Sequence, residues 1–162
     1  MKIFVGTILA ILVIAGTSCE QAVNVEKEKE AIMAVLEEEG AAVIAKDKDR
    51  LFALHVKDDF ETRLELGEYG FNTYKGWGEV GGLLGDWIDS DGDVAGENPV
   101  NTKENMVIKV TGNTAWLTYD NKWVWTNDGI KDGYNNIQII FLEKIKGEWK
   151  ISFSAIYSKS QL

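Results

Sequence analysis

The 162-residue sequence predicts an α+β domain in which helices cover one face of a curved sheet. Three observations carry that prediction. Helical periodicity is concentrated in the first part of the chain, long alternating stretches fill the chain from Asn105 onward, and turn pairs such as Gly112-Asn113 and Lys146-Gly147 separate those stretches. Hydrophobic residues make up 45% of the chain and charged residues 27%, a balance that supports one folded core and argues against overall disorder.

The start of the chain is read as an address rather than as fold. MKIFVGTILAILVIAGTSC has a single charge at Lys2, an apolar run from Ile3 to Ile14, and small residues up to Cys19. That is the layout of an export signal over residues 1–18, and the apolar run is shorter than the ~20 residues a spanning helix needs. Cys19 is the only cysteine, so an internal disulfide is excluded. Ala15-Gly16-Thr17-Ser18-Cys19 resembles a bacterial lipobox, departing from the stricter pattern at Gly16 and Ser18. The alternative is a secreted protein with an unpaired thiol; a lone thiol where the signal ends favours lipidation at Cys19. The expectation is an exported lipoprotein of the bacterial cell envelope, held to the lipid membrane by Cys19, with a tether over residues 19–25 and a folded domain over 26–160.

From Val25 to Lys46, Ile32, Val35, Leu36, Ala42 and Val43 fall on one helical face, with glutamates on much of the rest. Gly40 interrupts this pattern at a point of close packing. Asp49 is placed to cap a second, short helix containing Leu51, Phe52, Leu54 and His55. A strand follows over Phe60–Leu66, and residues 67–76 read as loop. In GWGEVGGLLGDWIDS, the apolar side chains Trp77, Val80, Leu83, Leu84 and Trp87 have helical spacing. The glycines, each costing about 0.5–1 kcal/mol in a helix interior, predict a short, irregular or mobile element. Residues 91–101, with the only proline at Pro99, read as an acidic loop. Strands are then expected at Asn105–Thr111, Thr114–Thr126, Tyr134–Lys146 and Glu148–Ser158.

Within this pattern VIKVTGNTAWLTYD, IIFLEKIKGEW and WKISFSAIYS resemble the nuclear transport factor 2-like (NTF2-like) superfamily, in particular its SnoaL-like and DUF4440-like, lipoprotein-borne members. The resemblance covers roughly residues 26–158. It implies a cone: a strongly bent, mainly antiparallel sheet wrapped around the N-terminal helix and open at one end to a pocket. It also implies that Glu148–Ser158 is a central strand and that a homodimer forms through the outer sheet face, with Trp116 and Val124 in the contact. The superfamily hosts isomerases, dehydratases, hydrolases and plain binding domains, so the fold does not name a chemistry.

In Thr114–Trp125, one parity holds Ala115, Leu117, Tyr119, Asn121, Trp123 and Trp125 and is read as interior. Tyr119, Asn121 and Trp123 then face a pocket in which a few polar groups orient a small apolar or aromatic ligand; the alternative is a filled core with its polar tips satisfied. Trp149, Ile151, Phe153, Ala155 and Tyr157 share a parity on the later strand, which adds Tyr157 to the pocket. Trp77 and Trp87 are read as a mobile lid, and His55, the only histidine, as reaching the pocket rim. Candidate acid–base carboxylates are Asp58, Asp59, Glu61 and Asp120; all fall beside other charges or on the outer parity, where solvation leaves them ordinary.

A net charge of −9 excludes nucleic acid as a natural partner. One histidine and one cysteine give no zinc set, and Asp86, Asp89, Asp91 and Asp93 lack the glycine and the bidentate glutamate of a calcium loop, so no metal and no cofactor is expected. The reading favoured is a non-catalytic domain that binds a small, partly apolar ligand in the cone. The alternatives are an isomerase, dehydratase or hydrolase working through Asp120 or Glu61 with Tyr119 or His55, and a dimeric interaction module.

Overall fold

The computed structural model describes residues 24–67, 70–90 and 96–158. The expected signal segment, the Cys19 lipidation site and the tether up to Val23 lie outside them, as do Asp91 and Asp93. The element order is α1 (Val25–Ile44), α2 (Lys48–Ala53), β1 (Thr62–Gly67), β2 (Gly70–Lys75), α3 (Gly76–Asp89), β3 (Glu97–Thr111), β4 (Thr114–Asn127), β5 (Ile130–Ile145) and β6 (Glu148–Ser158). The strands form one strongly curled sheet in the order β2-β1-β6-β5-β4-β3. Among the described strands only the β1–β6 pair is parallel. The strand Glu148–Ser158 is thus interior to the sheet, as expected.

Helix α1 starts where the Asn24 side chain accepts from the Lys27 amide at 3.2 Å. It ends at Ile44, two residues short of the expected Lys46, which has a left-handed φ of 53°. Its face of Ile32 and Leu36 packs on Leu117, Ile140, Leu142, Trp149 and Ile151 of the sheet. Farther along, Ala42 and Val43 join Leu51, Val80, Leu84, Ile88, Trp123 and Trp125 in a second core. Each fully buried Leu or Ile contributes on the order of 1.5–3 kcal/mol. Two polar clamps fix the rod. Glu28 accepts from Lys144 Nζ at 2.7 and 2.6 Å and from the Trp149 indole at 2.8 Å, while Arg50 donates to both oxygens of Glu38 at 2.7 and 3.0 Å.

Several expectations are corrected. Asp47, not Asp49, caps α2, accepting from the Arg50 amide at 3.0 Å. The first strand starts at Thr62, leaving Phe60 88% exposed. The supposed loop 67–76 contains β2, whose residues read as loop by composition yet pair with β1 from Thr62↔Lys75 to Gly67↔Gly70. The glycine-rich α3 is a continuous helix of 14 residues, because Val80, Leu84 and Ile88 bury one face. Pro99 lies within β3, an edge strand where a missing amide is tolerated. The β4–β5 turn is Asp128-Gly129, with φ of 49° and 78°, so Asp132 and Gly133 belong to β5.

The correction with the widest effect is a bulge. Phe141 pairs with Phe153 but its neighbour Leu142 pairs with Ile151, so Ser152 is an extra residue on β6. Side-chain parity reverses there. Trp149 and Ile151 are buried, Ser154 is buried next, and Phe153 turns outward to meet Phe141 edge-on at 5.6 Å. A second shift in β3 between Glu104 and Val107 does the same: Asn101 and Lys103 face inward before it, Met106, Ile108 and Val110 after it.

Candidate functional site

The bulges and the two cores leave a cavity of about 750 Å³ between the concave sheet, the C-terminal half of α1 and the inner face of α3. That size lies within the ~300–1,000 Å³ typical of small-molecule sites. From the helices come Glu39, Gly40 and Val43, with Leu83, Leu84 and Trp87 opposite. Gly40 leaves room for the Asn101 side chain of β3: a Cβ there would stand 3.0 Å from Asn101 Oδ1. From β4 the inward parity supplies Tyr119, Asn121, Trp123 and Trp125, as its alternation predicts. β5 adds Tyr134, Asn136 and Gln138, and the reversed parity of β6 adds Ser154 and Ile156.

The polar groups form chains rather than isolated tips. Tyr119 OH donates to Gln138 Oε1 at 2.7 Å, and Gln138 Nε2 donates to Asn136 Oδ1 at 3.2 Å. On the adjacent β3–β4 strands Asn101 Nδ2 donates to Asn121 Oδ1 at 2.7 Å, and Lys103 Nζ donates to Asn101 Oδ1 at 2.5 Å. Burial holds the Lys103 ammonium below the ordinary lysine value, opposed by the negative charges of Glu39 and Glu37. Burial pushes the Tyr119 hydroxyl well above the usual phenol range, so it acts as a neutral donor. Arg63 Nε donates to Glu65 Oε1 at 2.9 Å on the β1 side.

The structure brings four of the residues singled out from the sequence into this cavity: Tyr119, Asn121, Trp123 and Trp87. Three go elsewhere. Tyr157 points to the outer face because the Ser152 bulge reverses its parity. Trp77, at the start of α3, is no lid over the cavity; it packs edge-on against Phe52 at 5.0 Å and over His55 at 5.8 Å. His55 follows α2 rather than lying on it, alongside β6, where the Val56 amide donates to Ile151 O at 3.0 Å. It is buried, and its Nδ1 is hydrogen-bonded to Glu61 Oε1.

Glu61 therefore departs from its expected solvated position. It is 1% exposed, because the Asp58 side chain accepts from the Phe60 and Glu61 amides at 2.8 and 2.9 Å and turns Glu61 inward before β1 begins. The Lys57 amide donates to its second oxygen at 3.2 Å. The His55–Glu61 pair does not line the cavity. Asp120 is exposed on the outer parity and accepts from Asn105 Nδ2 at 2.6 Å. Of the acid–base candidates, Glu61 and His55 meet each other away from the cavity, while Asp120 is on the outer face and Tyr119 lines the cavity. Sequence reasoning missed Lys103, Asn136, Gln138 and Ser154. Alternation on β5 could have found Asn136 and Gln138, since they share the parity of Ile140 and Leu142. The inward turn of Lys103 and Ser154 depends on bulges.

No protein-family model and no curated protein matches the chain. Solved structures do. An NTF2-like protein of unknown function from Shewanella oneidensis MR-1 aligns with a TM-score of 0.61 at 16% identity, over 81% of this chain and 99% of that one. An NTF2-like protein with a cystatin-like fold from Novosphingobium aromaticivorans gives 0.65 at 16% identity, over 83% of each chain. The association domain of C. elegans CaMKII gives 0.66 at 17% identity, over 81% of this chain and 95% of that one. The chain thus has the NTF2-like fold, in agreement with the resemblance seen in its sequence.

Proposed function

We propose that this is an exported, Cys19-anchored envelope lipoprotein whose SnoaL-like domain binds a small, partly apolar ligand in the cone. The observation that carries the reading is the composition of the cavity: aromatic side chains from Trp87 and Trp123 together with hydrogen-bonding amides from Asn101, Asn121, Asn136 and Gln138. An acid–base enzyme is less well supported, because Asp120 lies on the outer face and the His55–Glu61 pair is outside the cavity. Native mass spectrometry and thermal-shift screening of the purified domain should reveal a retained or stabilising small molecule. Absence of both, across chemically varied compounds, would remove the ligand reading. For the anchor, radioactive palmitate should label the wild type and not Cys19→Ser; label persisting in the variant would defeat the lipoprotein assignment.

A second reading, a homodimer through the outer sheet face, is favoured by one specific feature. Trp116, Ile137, Ile139, Phe141 and Tyr157 are exposed together on adjacent strands β4, β5 and β6. Exposed apolar area of this kind marks interaction surfaces. Val124, expected in the same contact, is half-buried on that parity. Light scattering coupled to size exclusion should give twice the monomer mass for wild type and a monomer for Trp116→Asp; equal masses for the two would reject this interface.

A further inference from the structure

The polar half of the cavity has a direction. The oxygens of its amides are occupied by neighbours: Asn121 Oδ1 by Asn101, Asn136 Oδ1 by Gln138, and Gln138 Oε1 by Tyr119. Their nitrogens are not all used. Among the described residues no acceptor is bonded to Asn121 Nδ2 or Asn136 Nδ2, although these residues are only 3% and 7% exposed and line the cavity. Among the described residues the fully buried side-chain polar atom without a partner is His55 Nε2, so the two amide nitrogens are open to the cavity and free to donate to an oxygen acceptor that fills it. Lys103, on the neighbouring strand, adds ammonium protons beyond the one given to Asn101.

The electrostatics decide which acceptor. Among the described side chains around the cavity, Glu39, Glu65 and Asp132 are acidic while Arg63 and Lys103 are basic, and the Arg63–Glu65 pair is already formed. The balance of these side chains is one negative charge in excess, three against two, so a carboxylate or phosphate ligand meets a net negative lining even with the Lys103 ammonium outside any ion pair among the described residues. Glu39, which has no ion-pair partner among the described residues, offers an acceptor on the helix side. A ligand that suits this lining accepts from several N–H groups, donates back to a carboxylate, carries no charge of its own, and has an apolar face for Trp87 and Trp123. Ring hydroxyls do both hydrogen-bonding jobs, and the C–H face of a sugar ring does the last.

We propose that the cavity takes a neutral polyhydroxylated ring, a monosaccharide unit or its glycoside, whose hydroxyl oxygens accept from Asn121, Asn136 and Lys103. This inference rests on the ligand-binding reading above and narrows it to a chemical class.

The test is isothermal titration of the full folded domain with three sets of probes: methyl glycosides of glucose, galactose and N-acetylglucosamine; benzoate as an aromatic anion; and indole as an apolar ring. Each is repeated on Asn121→Asp and Asn136→Asp, which keep the oxygen used by the neighbour and replace the free NH₂ with a second oxygen. The expected result is binding of at least one methyl glycoside, weakened on the order of ten-fold in each variant. Binding of benzoate or indole with no glycoside overturns the sugar class and leaves the ligand reading standing. Binding of none of the probes overturns both. Glycoside binding unchanged in both variants overturns the placement in this cavity. Should an Asp variant fail to fold, Trp87→Ala decides placement: it must weaken glycoside binding, and an unchanged affinity rejects the site.

Discussion

Helix α3 offers a test that separates backbone propensity from packing within one pair of neighbouring positions. Gly81 and Gly82 are adjacent in a continuous helix, and neither has a left-handed φ. At Gly82 an added Cβ has nothing within 4 Å; at Gly81 it would meet the Trp77 ring at 2.8 and 2.9 Å. Ala is favoured over Gly in a helix interior by about 0.8–1 kcal/mol, chiefly by restricting the unfolded chain. Gly82→Ala should therefore stabilise by nearly that amount, which for a domain of this size raises Tm by roughly 3–4 °C. Gly81→Ala has the same propensity gain but forces the indole of Trp77 off Phe52 and His55. Overpacking of this kind costs about 1–3 kcal/mol, so the net change should be a lower Tm. Differential scanning calorimetry of wild type and the two variants measures both. If Gly82→Ala lowers Tm, α3 is not the regular helix described above. If Gly81→Ala gains as much as Gly82→Ala, Trp77 does not pack where the structure puts it.

Three further outcomes are expected. Leu36→Ala, which empties a fully buried position between α1 and the sheet, should cost about 2–5 kcal/mol in urea unfolding, and a loss under 1 kcal/mol would place α1 away from the sheet. His55→Ala removes the hydrogen-bond partner of a buried Glu61 oxygen and should destabilise by roughly 1–3 kcal/mol; a near-neutral effect would mean that Glu61 reaches water. Glu28 is held below the usual carboxylate range by hydrogen bonds from Lys144 and Trp149, so its contribution is complete above the unfolded carboxyl value of ~4.3 and is lost as pH falls through the lower folded value. Wild type should thus exceed Glu28→Gln in stability at pH 7, with the gap closing on acidification toward pH ~3, and a gap independent of pH would contradict the clamp.

What could be read from the sequence follows from which physical signals are local. The inward row of β4, from Ala115 to Trp125, is legible because a strand without a bulge keeps its parity for its whole length. β6 begins with an equally clear alternation, yet Ser152 shifts it, and nothing in KISFSAIYS marks which residue is the extra one. That single shift moves Tyr157 out of the cavity and Ser154 into it. β2 was illegible for a different reason: GFNTYK has weak strand character and is held by pairing with β1, a long-range effect that composition does not carry. The burial of Glu61 was hidden likewise, since a carboxylate among charges reads as solvent-facing until the Asp58 turn and His55 are seen around it.

The place of β6 in the sheet has a consequence for how the chain closes. Among the described strands, it alone pairs with both β1 and β5, joining the β1–β2 hairpin to the β3–β5 meander. Until residues 148–158 have emerged from the ribosome, those two pieces share no hydrogen-bonded edge, and the contacts that unite them span some 90 positions of chain, as in Leu64↔Ala155. Closure of the sheet into one hydrogen-bonded surface must therefore wait for synthesis of β6.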